Sequence, residues 1–439
     1  MAAPNVSIIR KLPGAGALYS GRPVDPLAGC GSPIPTPRSI AYVNLDFLYG
    51  LVRLSFWGYV IVTFALVQVT MLAVTLYLHR DQAHRAVDLH PVLRHFFRFW
   101  IWATSGMITG EWVAVHRKHH AFSDVAGDPH SPVMLGLKKI MLEGAEVYRE
   151  SARDPEIVAK YGRGTPTDWL ERNVYAKHRN LGIVLLVLTD LVVFGAPGII
   201  ILSVQLISMP LLAAGVINGL GHAVGYRTFE CDNAARNLVP WGLITGGEEL
   251  HNNHHAFPSS ARFSMRRGEF DIGWACLKVL SALGLANVRK VASRANVEAP
   301  RPLVDLDTVR TLITARMDVL RNYARSVTLP VLKAEAAASA GRLSVRVKRL
   351  LVRHPSLLDD GARARLQQVL AENTALRTVH DFRDRLAVLW SGSIGNNERL
   401  TAHLREWIRE AEASGIERLQ EFARALKGYK LAAGAVAAT

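Results

Sequence analysis

No charged residue interrupts "FWGYVIVTFALVQVTMLAVTLYL", residues 56–78. A bilayer core about 30 Å thick needs about 20 apolar residues in helical form, so this run predicts a membrane span. A second run, "LGIVLLVLTDLVVFGAPGIIILSVQLISMPLLAAGVINGLG" at 181–221, carries one charge, Asp190. It has room for two more spans with a turn near "FGAPG". Buried helices of soluble cores compete with this reading, but their apolar runs are about 10–14 residues. "PVLRHFFRFWIWATSGMITGEWV", residues 91–113, is aromatic yet broken by Arg94 and Arg98, which predicts a helix lying in the interface. "IGWACLKVLSALGLA" at 272–286 is apolar but short for a span.

Elsewhere the pattern is different. Residues 114–180 are polar and read as mostly helical, punctuated by Pro129, Pro132, Pro155 and Pro166. From about residue 300, stretches such as "TVRTLITARMDVLRNYARSV" and "NERLTAHLREWIREAEASGIERLQEFARALKGY" place apolar residues three and four apart among charges. That spacing predicts amphipathic helices of a soluble domain. The first 50 residues are rich in Pro, Gly and Ser and lack the apolar segment of a signal peptide, so they read as a flexible arm. The division is therefore 1–50 arm, 51–292 membrane domain and 300–439 helical extension of unknown role.

Charge adds a direction. The formal net charge of +15 could suggest nucleic acid. With spans present, the positive-inside rule explains it better, and no nucleic-acid partner is expected. Arg80, Arg85, Arg94, Arg98, Arg117, Lys118, Arg262, Arg266 and Arg267 cluster near the ends of the apolar runs, which places those ends on the cytoplasmic side. Such basic flanks also favour anionic headgroups or an acidic partner. The three cysteines, Cys30, Cys231 and Cys276, are scattered and suggest neither a disulfide framework nor an iron–sulfur cluster.

The chemistry lies in the histidines. "HRKHH" holds His116, His119 and His120; "HNNHH" holds His251, His254 and His255. At the chain's histidine frequency, roughly 0.02 copies of H-x-x-H-H are expected by chance, and two occur. Residues i, i+3 and i+4 share one helix face, so each triplet converges, and Asn218 and His222 share a face in the same way. His79 and His84 are five apart and converge only if the helix ends or bends there. Nine imidazoles suit two metal ions better than one, and imidazole suits zinc, copper, iron or nickel. Glu111, Asp124, Asp128, Glu248 and Glu249 lie beside these histidines and are candidates to orient their N–H groups. His90, His95 and His178 read as ordinary histidines, and His130 as ordinary or orienting.

Residues 55–292 resemble the integral-membrane fatty-acyl desaturases, in particular the stearoyl-CoA branch. "HRDQAHRAVDLHP", "EWVAVHRKHHAFSDVAGDPHSP", "NGLGH" and "GGEELHNNHHAFP" are similar to that family's histidine boxes. The resemblance implies that His79, His84, His116, His119, His120, His222, His251, His254 and His255 bind two irons, with Asn218 holding a metal-bound water. It implies O2-dependent removal of two hydrogens from adjacent methylenes of an acyl chain, at carbons 9 and 10. Two electrons would come from an external electron-transfer protein or reductase, because no flavin, haem or cysteine-cluster motif is present. Two departures leave the acyl carrier open among CoA, acyl-carrier protein and a phospholipid ester. The stearoyl-CoA branch has Arg-Asp where this chain has Ala114 and Val115, and an aromatic His-x-Gly-Trp segment where it has "LGLKKIMLEGAEVYRESARDPEIV". A third departure is the single full span before the first box, where the family has two; the arm would then be periplasmic, unless residues 41–53 dip into the membrane. Trp112 reads as packing near the metals or as part of a substrate tunnel, and Arg117 and Lys118 as solvated or as headgroup contacts. The C-terminal helices are faintly similar to the helical tail of some transposases.

The expected protein is an all-α integral-membrane enzyme with three or four transmembrane helices. A cytoplasmic helical cap holds the di-iron centre, and a soluble helical extension follows. Its setting is a bacterial inner membrane and its partners are the acyl substrate, membrane lipids and the electron donor. A membrane hydroxylase on the same boxes, a histidine-rich metal transporter and a membrane-anchored interaction protein are the competing readings.

Overall fold

The computed structural model describes residues 46–293, 295–299, 304–338, 345–390 and 397–431. Most of the expected N-terminal arm lies outside these residues. Just after the arm, Leu51 and Val52 dock through backbone bonds to the carbonyls of Val192 and Val193.

Helix α1, Phe56–Ala83, starts where Ser55 Oγ accepts from the Gly58 amide. Its first turns leave Phe56, Trp57, Ile61 and Phe64 exposed, while every residue from Ala73 to Ala83 is buried. The helix thus passes from an apolar exterior into the interior of the protein. Helix α2, Pro91–Ser105, begins on Pro91 and stops at Gly106, whose φ of 66° is the left-handed conformation that glycine adopts freely. Helix α3, Thr109–Ala121, follows. This break corrects the single interfacial helix expected over 91–113. Only α2 is two-faced, with Val92, Phe96 and Phe99 exposed and Phe97, Ile101 and Trp102 buried; α3 buries Val113, Ala114 and Val115.

Helices α4, Leu137–Ala152, and α5, Pro155–Tyr161, complete the polar middle region. Helices α6, Arg179–Phe194, and α7, Ala196–His222, form a hairpin about Gly195. Gly195 has φ 69°, and a Cβ there would sit 2.2 Å from the Leu48 carbonyl oxygen. The hairpin's one carboxylate is partnered internally: Gln205 Nε2 donates to Asp190 Oδ2 at 2.8 Å. Helix α4 packs along the inner half of α7, with Gly144 against Ala214.

Among the described residues, two helices, α1 and α7, are long and apolar enough to cross a membrane. The third expected span, α6, has 16 residues. It therefore extends about 24 Å, short of a core of about 30 Å. Exposed apolar side chains on α1, α6 and α7, among them Ile61, Leu188, Ile200 and Ile207, give these helices the outward face that lipid would solvate.

Two short helices follow, α8 at His251–Ala256 and α9 at Ile272–Ala282. Strand pairs tie the ends together. Val87–Leu89 pairs antiparallel with Ala286–Val288, and Trp241–Gly242 pairs parallel with Phe270–Asp271. The C-terminal helices have their own core, in which Tyr323, Leu376, Phe382, Leu386, Trp407 and Phe422 are buried together. An antiparallel pair, Ala295–Val297 with Tyr429–Leu431, joins the end of this unit to its beginning.

Candidate metal centre

Three helix ends and one short helix deliver the nine histidines. His79 lies in the last turns of α1, and His84 follows its end. Residues Ala73–Ala83 are wound as a π-helix, and the His84 amide bonds to the His79 carbonyl at 3.0 Å. An i→i+5 ladder brings residues five apart onto one face, which an α-helix does not do. The rings of His79 and His84 are therefore 4.9 Å apart. The convergence expected from an ending or bend is produced mainly by this wider winding. Helix α3 presents His116, His119 and His120, α7 ends on His222, and α8 presents His251, His254 and His255.

Their ring nitrogens form two groups. One comprises His79, His84, His116, His120 and His254; the other His119, His222, His251 and His255. Within each, the ligand atoms lie within 4.8 Å of one another. Nε2 of His254 is 3.1 Å from that of His79 and 2.9 Å from that of His120. Nε2 of His251 is 3.0 Å from that of His222 and 3.2 Å from that of His255. Two nitrogens bound side by side to one ion at about 2.0–2.1 Å would be about 3 Å apart, so these spacings fit ligand spheres.

Protonation fits as well. Burial, with the neighbouring imidazoles, pushes His116, His120, His251, His254 and His255 well below the usual histidine range. Burial and then Arg117 push His84 down to about 3. The neutral ring keeps a lone pair for a metal. Three carboxylates hold the opposite ring nitrogens. Nδ1 of His79 is 2.6 Å from Glu248 Oε1, Nδ1 of His119 is 3.0 Å from both oxygens of Asp128, and Nδ1 of His222 is 2.7 Å from Asp124 Oδ2. Each such bond turns Nε2 toward the group's centre.

Two of the five expected orienting carboxylates do something else. Glu111 pairs with Arg179 at 2.7 Å. Glu249 accepts the amides of Ile244, Thr245 and Gly247 and so shapes the loop before α8. His130 stacks on His119 at 4.5 Å, and neither of its ring nitrogens has a hydrogen-bond partner among the described residues.

Asn252 and Asn253, which hold α8 in place, were not singled out in the sequence, and Arg80 was read there only as a basic flank. Asn252 Oδ1 accepts the amides of Thr228 and Phe229 at 2.8 and 2.9 Å, and Asn253 Nδ2 donates to Glu269 and to the Phe263 carbonyl. Arg80 is buried against Asp271 at 2.9 Å and donates to the carbonyls of Ala261 and Gly246. The available signal was the Asn-Asn inside "HNNHH" and a charge directly after His79.

Trp112 stacks on His116, with ring centroids 4.8 Å apart. With Asn218, Tyr148 and Ala213 it lines both a small pocket of about 50 Å³ beside His79, His116 and His251 and an adjoining cavity of about 660 Å³. Arg117, expected to be solvated or to contact a headgroup, is held by backbone. Its guanidinium donates to the carbonyls of Gln82, Ala83, Tyr161 and Arg163 and joins three segments. Lys118 is half-buried and lines neither space.

The chain is similar to known proteins. A fatty acid desaturase model matches residues 54–268, and a transposase model matches residues 306–433. Delta-9 acyl-lipid desaturase 1 of Arabidopsis thaliana is 30% identical over 263 residues, covering 58% of this chain and 83% of that protein. Acyl-CoA 5-desaturase AL21 of Anemone leveillei is 32% identical over 231 residues, covering 50% and 67%. The desaturases are membrane-associated enzymes that generally use a di-iron centre held by histidine clusters. From the paired histidine groups and these likenesses, the chain belongs to the fatty acid desaturase family and is an oxidoreductase.

Proposed function

We propose that this chain introduces a double bond into a saturated fatty-acyl chain, with O2 as co-substrate and two electrons from an external donor protein or reductase. The observation that carries this reading is the contact between the two histidine groups and the cavity of about 660 Å³, through Trp112 and Asn218. One iron would be held by His79, His84, His116, His120 and His254. The other would be held by His119, His222, His251 and His255, with Asn218 reached through a water. Bound iron supplies the oxidising power that an unactivated C–H bond requires.

The protein's own residues do the positioning. Asp124, Asp128 and Glu248 fix the ring orientation of three ligands. Trp112, Met209, Ala213 and Ala214 give the cavity an apolar wall that can seat methylenes, which offer nothing to hydrogen-bond. Glu111, Arg149, Arg153 and Arg179 supply its polar lining. Ala114 and Val115 are buried and carry no charge that could pair with an acyl carrier's headgroup. A double bond at carbons 9 and 10 follows from the resemblance, and one relative is named a Delta-9 acyl-lipid desaturase. In this reading α6 joins α1 and α7 as a membrane helix. The histidine groups lie on the cytoplasmic side of a bacterial inner membrane, and residues 300–439 form a soluble amphipathic helical domain.

The test is reconstitution. Purified chain loaded with iron, a reductase system and O2 is given stearoyl-CoA, stearoyl-acyl-carrier protein or a distearoyl phospholipid. An unsaturated product from at least one donor is expected and identifies the carrier. A hydroxylated product marks the alternative reaction, and no product from any donor rejects the reading.

A further inference from the structure

A second large cavity, about 760 Å³, lies between the desaturase part and the C-terminal helices. It is lined by six cations, Arg227, Arg266, Arg321, Arg325, Lys348 and Arg383, against two carboxylates, Glu230 and Asp384. The carboxylates are already engaged. Glu230 pairs with Arg227 at 3.1 Å, and Asp384 with Arg383 at 3.4 Å. Two of the cations are engaged as well. Arg227 donates to the carbonyls of Cys231, Asn233 and Ala235, and Arg383 to those of Leu351 and Arg353.

Arg266, Arg321, Arg325 and Lys348 remain. Arg321 reaches Asp318 only at 4.0 Å, and Arg325 and Lys348 are exposed and pair with no carboxylate among the described residues. Burial and the neighbouring Arg325 push Arg321 below the usual guanidinium range. Crowded like charges on a partly dry wall are unfavourable unless an anion joins them. Between the cations the wall is apolar, with Met317, Leu320, Leu329 and Val352. A small-molecule site is typically about 300–1,000 Å³, mostly apolar with a few convergent polar groups.

The floor leads to the metal centre. Thr228 lines the cavity, and its amide donates to Asn252, which stands between His251 and His254 on α8. The opposite wall belongs to the C-terminal helices, which also reach across through Ser356 Oγ to the Asp232 carbonyl at 2.7 Å.

We propose that this seam binds a soluble organic phosphate of nucleotide size, with two or more negative charges on Arg266, Arg321, Arg325 and Lys348 and an apolar body on the wall between them. Occupancy links the C-terminal helices to the segment that supports α8. The proposal is independent of the acyl chemistry, and its test reads binding alone.

Calorimetry on the full chain in detergent compares ADP, adenosine, pyrophosphate, phosphatidylglycerol micelles and a single-stranded oligonucleotide. ADP is expected to bind with Kd below about 1 mM, and adenosine not to bind. The double variant Arg325→Glu, Lys348→Glu is expected to weaken ADP at least about tenfold, since each charge-assisted bond lost removes about that factor. An unchanged melting temperature of the ligand-free variant shows that it folds. The proposal is overturned if ADP does not bind, if the double variant binds it equally, or if pyrophosphate binds as tightly as ADP. It is also overturned if the micelles or the oligonucleotide bind with the same dependence on these residues more tightly than ADP.

Discussion

Asp124 Oδ2 lies 2.7 Å from His222 Nδ1, joining two residues 98 positions apart. Asp124 reaches this position in a left-handed conformation, φ 63°, and also accepts from the Ala234 amide at 2.7 Å and the Ser131 hydroxyl at 2.6 Å. Asparagine tolerates that backbone, so Asp124→Asn changes the carboxylate and little else. Iron affinity or turnover is expected to fall about 10–100-fold with the fold retained. Iron titration beside circular dichroism checks this, and an unchanged affinity would remove Asp124 from the account.

His254 stands between His79 and His120, with Nε2 distances of 3.1 and 2.9 Å. His254→Ala is expected to lower bound iron from two per chain to one or none, measured by elemental analysis of the purified protein. Chelation of the wild type is expected to lower its melting temperature, because a ligand that binds only the folded chain stabilises it. Two irons retained in the variant would contradict the ligand assignment.

Arg80 and Asp271 form a buried pair that also caps α9, with Asp271 Oδ1 accepting the Trp274 amide at 2.9 Å. Arg80→Leu leaves Asp271 buried without its cation. A loss of about 3–5 kcal/mol is expected in detergent-based unfolding, the usual consequence of removing one partner. A loss within about 0.5 kcal/mol, as at an ordinary surface site, would contradict the structural role.

Glu171 lies beside Arg98 at 3.6 Å, with Asp168 and Glu111 also near. Burial pushes its carboxyl up to about 7, with Arg98 opposing. A raised carboxyl holds its proton better in the fold than in the unfolded chain. Its contribution to stability is therefore present at low pH and declines as pH rises from about 4.5 through about 7. Glu171→Gln should remove this decline. Melting temperatures at pH 5 and pH 8 check it, with the variant gaining on the wild type at pH 8.

Much of the site was legible because its signals are local. The triplets around His116 and His251 follow from helix periodicity alone, and the acidic residues close to them in sequence supplied three of the orienting groups. The π-helix that brings His79 and His84 together was not legible, since nothing in "AVTLYLHRDQA" specifies five-residue winding. The roles of Glu111 and Glu249 turned on partners that only the fold brings near, Arg179 from α6 for the first and the amides of a folded loop for the second. Arg117 read as a surface cation because its four carbonyl partners come from segments up to 46 residues away. The turn near "FGAPG" was legible, but span length was overestimated at α6, because only 16 helical residues fit between Arg179 and that turn at Gly195.

The central claim is that the paired histidine groups carry out acyl desaturation. It is tested most directly by mass spectrometry of lipids from cells expressing the wild-type chain or His254→Ala, with double-bond positions mapped. The account predicts a new monounsaturated acyl species, with the bond between carbons 9 and 10, in wild-type cells and not in the variant. No new unsaturation in wild-type cells, or equal unsaturation with the variant, would contradict it.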